Sequence, residues 1–286
     1  MKAKCKNIVI ITGASSGIGL EFARKMDLCF ESIDEFWLAA RREDRLREAA
    51  GQLRHKTRLF PVDLTDSGQM DTLENAVMAE NAVVRMLIQS AGVGYTGIFC
   101  ERDTAEALEM LRLNCLALTE LAHRMIPYMR RNSRIIQMAS GAAFLPQPGF
   151  AVYAAAKSYV LSFSRALNRE LKPLGIPVTC VCPGPVDTPF LDIAGQRDRM
   201  PAVKKLALTD GGRVAEQALR DSFYRRELSV CGLPLKALRL LSAVIPHRIL
   251  LDFMAPEAGR HDPDTRYKPG NHRENPQGRN PADRKG

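Results

Sequence analysis

Eight residues, TGASSGIG from Thr12 to Gly19, constrain this chain more than any other stretch. They follow directly on the apolar, β-branched run NIVII and open onto LEFARKM, which has helical periodicity. A strand that turns through three glycines into a helix needs a tight turn and a backbone close enough to touch an anion. It also needs a helix N-terminus whose free N–H groups and dipole face that anion. One threonine and three glycines at this spacing arise by chance in roughly one chain in two hundred. The alternative, a glycine turn of purely structural use, stands beside that reading. The position between strand and helix favours the phosphate-binding one.

The remainder of the chain continues in the same rhythm. Short apolar runs, NIVIIT, EFWLAA, TRLFPV, VVRMLIQ, SRIIQMA, IPVTCVC and ELSVC, alternate with amphipathic stretches such as EDRLREAAGQLR and the long run from Thr104 to Met129. This order predicts an α/β fold, a single doubly wound Rossmann-type domain with a mostly parallel seven-stranded sheet and helices on both faces. Residues 1–255 are expected to form that domain. Residues 256–286, rich in Pro, Gly, Asn and Arg, are expected to be a polar disordered tail.

With 286 residues and 45% hydrophobic content the chain can bury a substantial core, and no apolar run reaches the roughly 20 residues that span a bilayer. Nothing marks it for export, so a cytoplasmic location is expected. Seven cysteines without a Cys-x-x-Cys pair are expected to be reduced and mostly buried, Cys180 and Cys182 pointing to opposite sides of their strand. The net charge of +9 is dispersed, which argues against nucleic acid as the ligand. His55, His123, His247, His261 and His272 have no ligand spacing, and no metal is expected.

About twenty residues beyond the last glycine, the second strand ends in AARR. A free ribose 2'-hydroxyl is met by an acidic side chain at this point and a 2'-phosphate by arginine, so Arg41 points to NADP. Arg41 and Arg42 capping the strand end in solvent is the other reading. Ser15 or Ser16 could donate to the same phosphate, and Asp63, at the end of the third strand, is placed to read an adenine amino group. In FAVYAAAKSYV, Tyr153 and Lys157 stand four apart and share a helix face. An ammonium beside a phenol stabilises the phenolate and draws the proton's pKa down. The pair alone is equally two amphipathic side chains on a helix.

Taken together, TGASSGIG, SAGVG at 90–94, Asn114 in RLNCLAL, Ser140 in QMASG, YAAAK and PGPVDTPF from Pro183 resemble, in order, the pattern of the classical short-chain dehydrogenase/reductase family. The likeness covers about residues 6–232. It implies reversible carbonyl reduction by hydride transfer with NADPH, with Tyr153 as general acid/base. Ser140 would orient the carbonyl oxygen, Lys157 would hold the nicotinamide ribose and lower the tyrosine pKa, and Asn114 would anchor a water behind Lys157. For Asn114 a helix kink without catalytic role is the alternative. The resemblance also implies cofactor contacts from Gly13, Ser15, Ser16, Gly17, Ile18 and Gly19 at the turn. Arg41, Arg42, Asp63 and Leu64 would follow on the adenosine side, and Ser90, Ala91 and Gly92 beyond the fourth strand. Beside the nicotinamide it implies Tyr153, Lys157, Pro183, Gly184, Val186 and Thr188. The stretch FLDIAGQRDRMPAVKKLALTD would be a mobile lid over the substrate, and a homo-oligomer built through the helices carrying Asn114 and Tyr153 is expected.

One departure stands out: the family's paired asparagines are Gln89 and Ser90 here. That puts the hold on the central strand, and cofactor affinity beside it, in question. AGVGYTGIF and GLPLKALRLLSAVIPHRIL look closest to bacterial reductases similar to hydroxysteroid dehydrogenases and long-chain 3-oxoacyl reductases. The substrate is then a small-molecule carbonyl or alcohol, with a lipid-like one suggested. Residues 234–254 read either as helices covering the pocket or as a membrane-surface segment. A different class of function, NADP binding as a sensor or scaffold without turnover, needs the glycines and Arg41 but no proton donor.

Overall fold

A computed structural model of the chain describes residues 5–194 and 208–254. The predicted tail from residue 256 and most of the predicted lid lie outside the described residues. Seven strands form one parallel sheet: β1 (Lys6–Thr12), β2 (Glu35–Ala40), β3 (Thr57–Pro61), β4 (Ala82–Gln89), β5 (Met129–Met138), β6 (Val178–Cys182) and β7 (Leu228–Val230), in the spatial order β3-β2-β1-β4-β5-β6-β7. The chain winds one way from β1 to β3 and the other way from β4 to β7. Its direction therefore reverses between β1 and β4, which opens a crevice at their carboxyl ends.

Strand β1 is buried on both sides, as a near-continuous apolar run in a parallel sheet must be. Ile8 and Ile10 pack with Met70, Leu73 and Val77 of α3 (Ser67–Ala79) and with Leu121 and Met125 of α5 (Leu118–Met125). Val9 and Ile11 pack on the opposite face with Phe22 and Met26 of α1 (Gly17–Cys29), Leu46 of α2 (Glu43–Ala50) and Val214 and Ala218 of α8 (Gly211–Phe223). Neighbouring residues of one strand thus serve two cores, the period-2 consequence of the pleat. The long helical run divides into α4 (Thr104–Leu111), a π-helical turn Arg112–Ala117, and α5. Met129 already belongs to β5. After α6 (Ala151–Glu170) and the short α7 (Pro189–Ile193), the helices α9 (Leu233–Val244) and α10 (His247–Met254) follow β7.

Two expectations about cysteine need correction. Cys180 and Cys182 do not face opposite sides: their Sγ atoms lie 3.9 Å apart, because residues two apart on a strand share a face. Nor are the thiols mostly buried, since Cys115, Cys180 and Cys182 are buried but Cys5, Cys29 and Cys100 are exposed.

The asparagine departure is answered by a buried chain of amides. Gln89 Nε2 donates to the Leu118 carbonyl at 2.7 Å, Gln137 Nε2 donates to Gln89 Oε1 at 2.7 Å, and Ser164 Oγ donates to Gln137 Oε1 at 2.7 Å. Glutamine reaches across where a shorter side chain would stop, and ties β4 to β5, α5 and α6. All three side chains are buried, so each lost partner costs about 1–3 kcal/mol. Gln89→Leu leaves the Leu118 carbonyl and the Gln137 amide unpaired. It is expected to lower Tm by several degrees in a thermal melt, while Gln89→Glu, which keeps an acceptor but no donor, recovers only part of the loss.

Candidate active site

At the carboxyl end of β1 the three glycines are needed for three separate reasons. Gly13 and Gly17 have φ of +64° and +56°, in the left-handed region that side chains disfavour. A Cβ on Gly13 would also sit 2.9 Å from the Ala91 backbone, and one on Gly19 would run into the Gly13 carbonyl. The turn is therefore packed against both its own helix and the loop after β4. Ser16 is the N-cap of α1 but makes no side-chain capping bond, which leaves the first N–H groups of the helix open to the crevice.

The sequence reading passed over Thr12 as a site residue, yet it joins the two halves of the crevice. Its hydroxyl accepts the N–H groups of Ser90 at 3.1 Å and Ala91 at 3.2 Å. The serine at position 90 is thus held by its backbone rather than through the reach of its side chain. The threonine before the first glycine was visible, but its partner, 78 residues away, was not.

The crevice continues as a cleft of about 980 Å³. Gly13, Ser15, Ser16, Gly17, Ile18 and Gly19 line its start; Arg41, Arg42, Asp63 and Leu64 line the end near β2 and β3. Ser90, Ala91 and Gly92 form the middle, and Ser140, Tyr153, Lys157, Pro183, Gly184, Val186 and Thr188 the far end. Arg41 reaches Glu109 Oε1 at 3.4 Å, and the other oxygen of Glu109 takes the Tyr95 hydroxyl at 2.7 Å. Asp63 Oδ1 accepts from the backbone and hydroxyl of Thr65. Thr188 lies against Gly17, its Cβ 3.5 Å from the position a Gly17 Cβ would take.

Among the predicted catalytic residues, Asn114 alone does not line the cleft. It stands behind it in the π-helical turn, with Oδ1 accepting from Val93 N–H at 3.0 Å and Nδ2 donating to the Val93 carbonyl at 2.8 Å. Both amide atoms bond the loop after β4. The kink reading and the functional reading meet here: the π turn aims Asn114 at the loop, and a Cβ on Gly92 would meet Asn114 Oδ1 at 2.9 Å and Lys157 Nζ at 3.4 Å.

Ser140 lies two residues beyond β5 and caps the short turn Gly141–Phe144, accepting from Ala142 N–H at 3.1 Å. Tyr153, in the first turn of α6, stacks on Phe150 with ring centroids 4.1 Å apart and leans on Phe190 at 5.7 Å. Burial pushes the Tyr153 pKa up to about 12, while a hydrogen bond with Ser140 pulls the other way. Lys157 Nζ lies 5.5 Å from the centroid of that ring and donates to the Met138 carbonyl at 2.9 Å. Its own burial lowers its pKa to about 8. A phenol, a hydroxyl and an ammonium are thus gathered in a half-dry pocket, the proton donor, the orienting group and the charge needed for acid–base chemistry on a carbonyl.

The fold and this cleft define a nucleotide-binding α/β protein with an acid–base constellation at the far end of the site. The chain matches the short chain dehydrogenase family over residues 7–198, and it belongs to that family. An uncharacterised oxidoreductase of Staphylococcus epidermidis is 31% identical over 205 residues, 70% of this chain and 88% of the relative. A solved short-chain dehydrogenase from Sphingobium yanoikuyae, in complex with NADPH, aligns over 90% of this chain and 99% of its own, with 26% identity and a TM-score of 0.71. A short-chain dehydrogenase/reductase from Burkholderia phymatum, in complex with NAD, shares the fold with a TM-score of 0.73 at 21% identity, over 92% of this chain and 99% of its own. The chain is accordingly an oxidoreductase of the kind that uses a nicotinamide cofactor.

Gly94 was quoted in a motif but given no role, and the structure supplies one. A Cβ there would lie 2.9 Å from the Tyr153 ring and 2.7 Å from Phe190. Gly94→Ala is expected to displace the phenol by about 1 Å and lower kcat by ~10²-fold, with cofactor affinity unchanged in a fluorescence titration.

Proposed function

We propose that this protein reduces a bulky, apolar carbonyl compound with NADPH, in a single domain spanning residues 1–255. The observation that carries the reading is the convergence of Ser140, Tyr153 and Lys157 at the end of the glycine-lined cleft. The glycine cradle fits a dinucleotide, since it is backbone-lined where a Cβ would fill the space. NADPH held there supplies the hydride. Ser140 and Tyr153 hydrogen-bond the carbonyl oxygen, and Tyr153 delivers the proton to it. Lys157, cationic below pH 8, lowers the cost of the phenolate left behind and holds the cofactor ribose. Asn114 positions the loop of Gly92 and Val93 beside Lys157, and its second amide N–H and second oxygen lone pair would be left for a water behind Lys157.

Arg41 supports NADP over NAD, because a guanidinium at this strand end would meet a 2'-phosphate bidentately, giving up its 3.4 Å contact with Glu109 to do so, and no carboxylate stands at the end of β2. The complex of the Sphingobium yanoikuyae relative with NADPH is consistent with that choice. The substrate class follows from the lining. Among the described residues the charged ones of the cleft are Arg41, Arg42, Asp63 and Lys157, whereas Ala142, Phe150, Phe190, Leu235 and Leu238 surround the reaction end. Apart from Lys157, whose charge is engaged beside Tyr153, the described lining of the reaction end offers apolar contact rather than a counter-ion. A second copy of the chain is proposed to pack on the helices α4, α5 and α6, where Leu108, Leu111, Leu116 and Tyr159 are exposed.

The test follows NADPH and NADH consumption over a panel of ketosteroids, long-chain 3-oxoacyl esters, aromatic aldehydes, sugars and sulfonated aldehydes. Turnover on apolar members is expected, falling by ~10²–10⁴-fold in Tyr153→Phe. Cofactor binding with no turnover on any member would instead favour the sensor reading. Arg41→Ala is expected to weaken NADPH about tenfold and leave NADH unchanged. Because the Lys157 pKa lies near 8, its charge is present below that pH and lost above it. The kcat/KM for reduction is therefore expected to fall as pH rises past about 8, and Lys157→Met to remove this limb along with most of the activity.

A further inference from the structure

Helix α9 is apolar on two opposite sides. At about 100° per residue, Leu235, Leu238 and Ser242 share one side, and Leu233, Ala237, Leu240, Leu241 and Val244 share the other. The first side closes the cleft, with Leu235 packed against Gly141 and Ser242 buried. On the second, Leu233, Leu240, Leu241 and Val244 are 79%, 68%, 49% and 82% exposed, and α10 adds Ile249 at 49%. A helix on the surface of a globular protein turns charge and polarity outward. Single exposed leucines are ordinary, but a stripe along a whole helix marks a contact surface.

The charges beside the stripe say what kind of surface it meets. The helices α9 and α10 carry the basic side chains Lys236, Arg239 and Arg248, all exposed, against a single acidic residue, Asp252. A two-fold contact with a second copy on this face would bring the three cations of each copy together with only one carboxylate per copy, Asp252, to offset them. Anionic headgroups complement them directly. Apolar side chains on one arc with lysine and arginine at its margin form the pattern of a helix lying in a bilayer interface.

We propose that α9 and α10 dock this protein on the surface of an anionic lipid bilayer. Leu233, Leu240, Leu241, Val244 and Ile249 enter the boundary between headgroups and acyl chains, and Lys236, Arg239 and Arg248 lie against lipid phosphates. The same helix then stands between the bilayer and the cleft, its inner leucines facing the reaction end. The docking itself is independent of the proposed reduction, because it uses neither the cofactor nor Tyr153.

The experiment is co-sedimentation of the full chain with vesicles of phosphatidylcholine alone or mixed with phosphatidylglycerol, at low and high salt. Wild type is expected to pellet with the mixed vesicles, much less with phosphatidylcholine, and less at high salt. Leu240→Asp with Val244→Asp is expected to stay in the supernatant, and Lys236→Ser, Arg239→Ser and Arg248→Ser together to weaken binding ~10²-fold. Both sets of positions are exposed and outside the cleft, and unchanged circular dichroism and Tm verify that the variants fold. Wild type remaining in the supernatant with mixed vesicles would overturn the proposal. So would a Leu240→Asp, Val244→Asp variant that pellets like wild type. If that variant instead loses mass in sedimentation equilibrium while wild type ignores vesicles, the face belongs to a second copy of the chain.

Discussion

The packing of the glycine turn between β1 and the loop after β4 is the contact on which the site depends. Gly13 lets its backbone meet that of Ala91, Gly19 lets α1 meet the turn, and the Thr12 hydroxyl binds Ser90 and Ala91 from below. A side chain at Gly13 would push the turn away from the loop after β4 at the point where the sheet changes direction, and one at Gly19 would push α1 off the turn. The glycines are therefore as much a joint between two halves of a sheet as a cradle for phosphate. The open N–H groups of α1 face the crevice only because that joint is closed.

Behind the joint, polar groups buried in the sheet do two different tasks. Gln89, Gln137 and Ser164 satisfy one another, and their chain holds β4, β5, α5 and α6 in register. Tyr153 and Lys157 are buried as deeply but are not satisfied in that way. Burial drives the phenol toward its neutral form and the amine down to about 8, and so places a proton donor next to a charge that the interior only just tolerates. The two sets are linked, since α6 carries Ser164 of the first together with Tyr153 and Lys157 of the second.

Much of this was readable in the chain. The strand runs, the helical segments, the glycine turn and the Tyr153–Lys157 pair follow from local patterns, because strand pleat and helix pitch write themselves into residue spacing, whereas Asn114 and Ser140 came from the resemblance to the family. What escaped the reading involves contacts between distant segments. Gln89 looked like a lost asparagine until Gln137 and Leu118 were seen beside it. Gly94 looked like a loop residue until the Tyr153 ring was seen against it. Cys180 and Cys182 were misread for a different reason, since residues two apart on a strand share a side.

The sequence by itself determined the class of fold, the phosphate-binding turn and the identity of the groups that can move a proton. These depend on interactions within a few residues, where backbone geometry leaves little choice. Only the tertiary structure decided that Asn114 bonds Val93 rather than lining the cleft, that Tyr153 lies between two phenylalanine rings, and that α9 turns leucine both inward and outward. Each of those is settled by which segment arrives against which, and the packing of a parallel sheet brings together residues that spacing along the chain keeps dozens of positions apart.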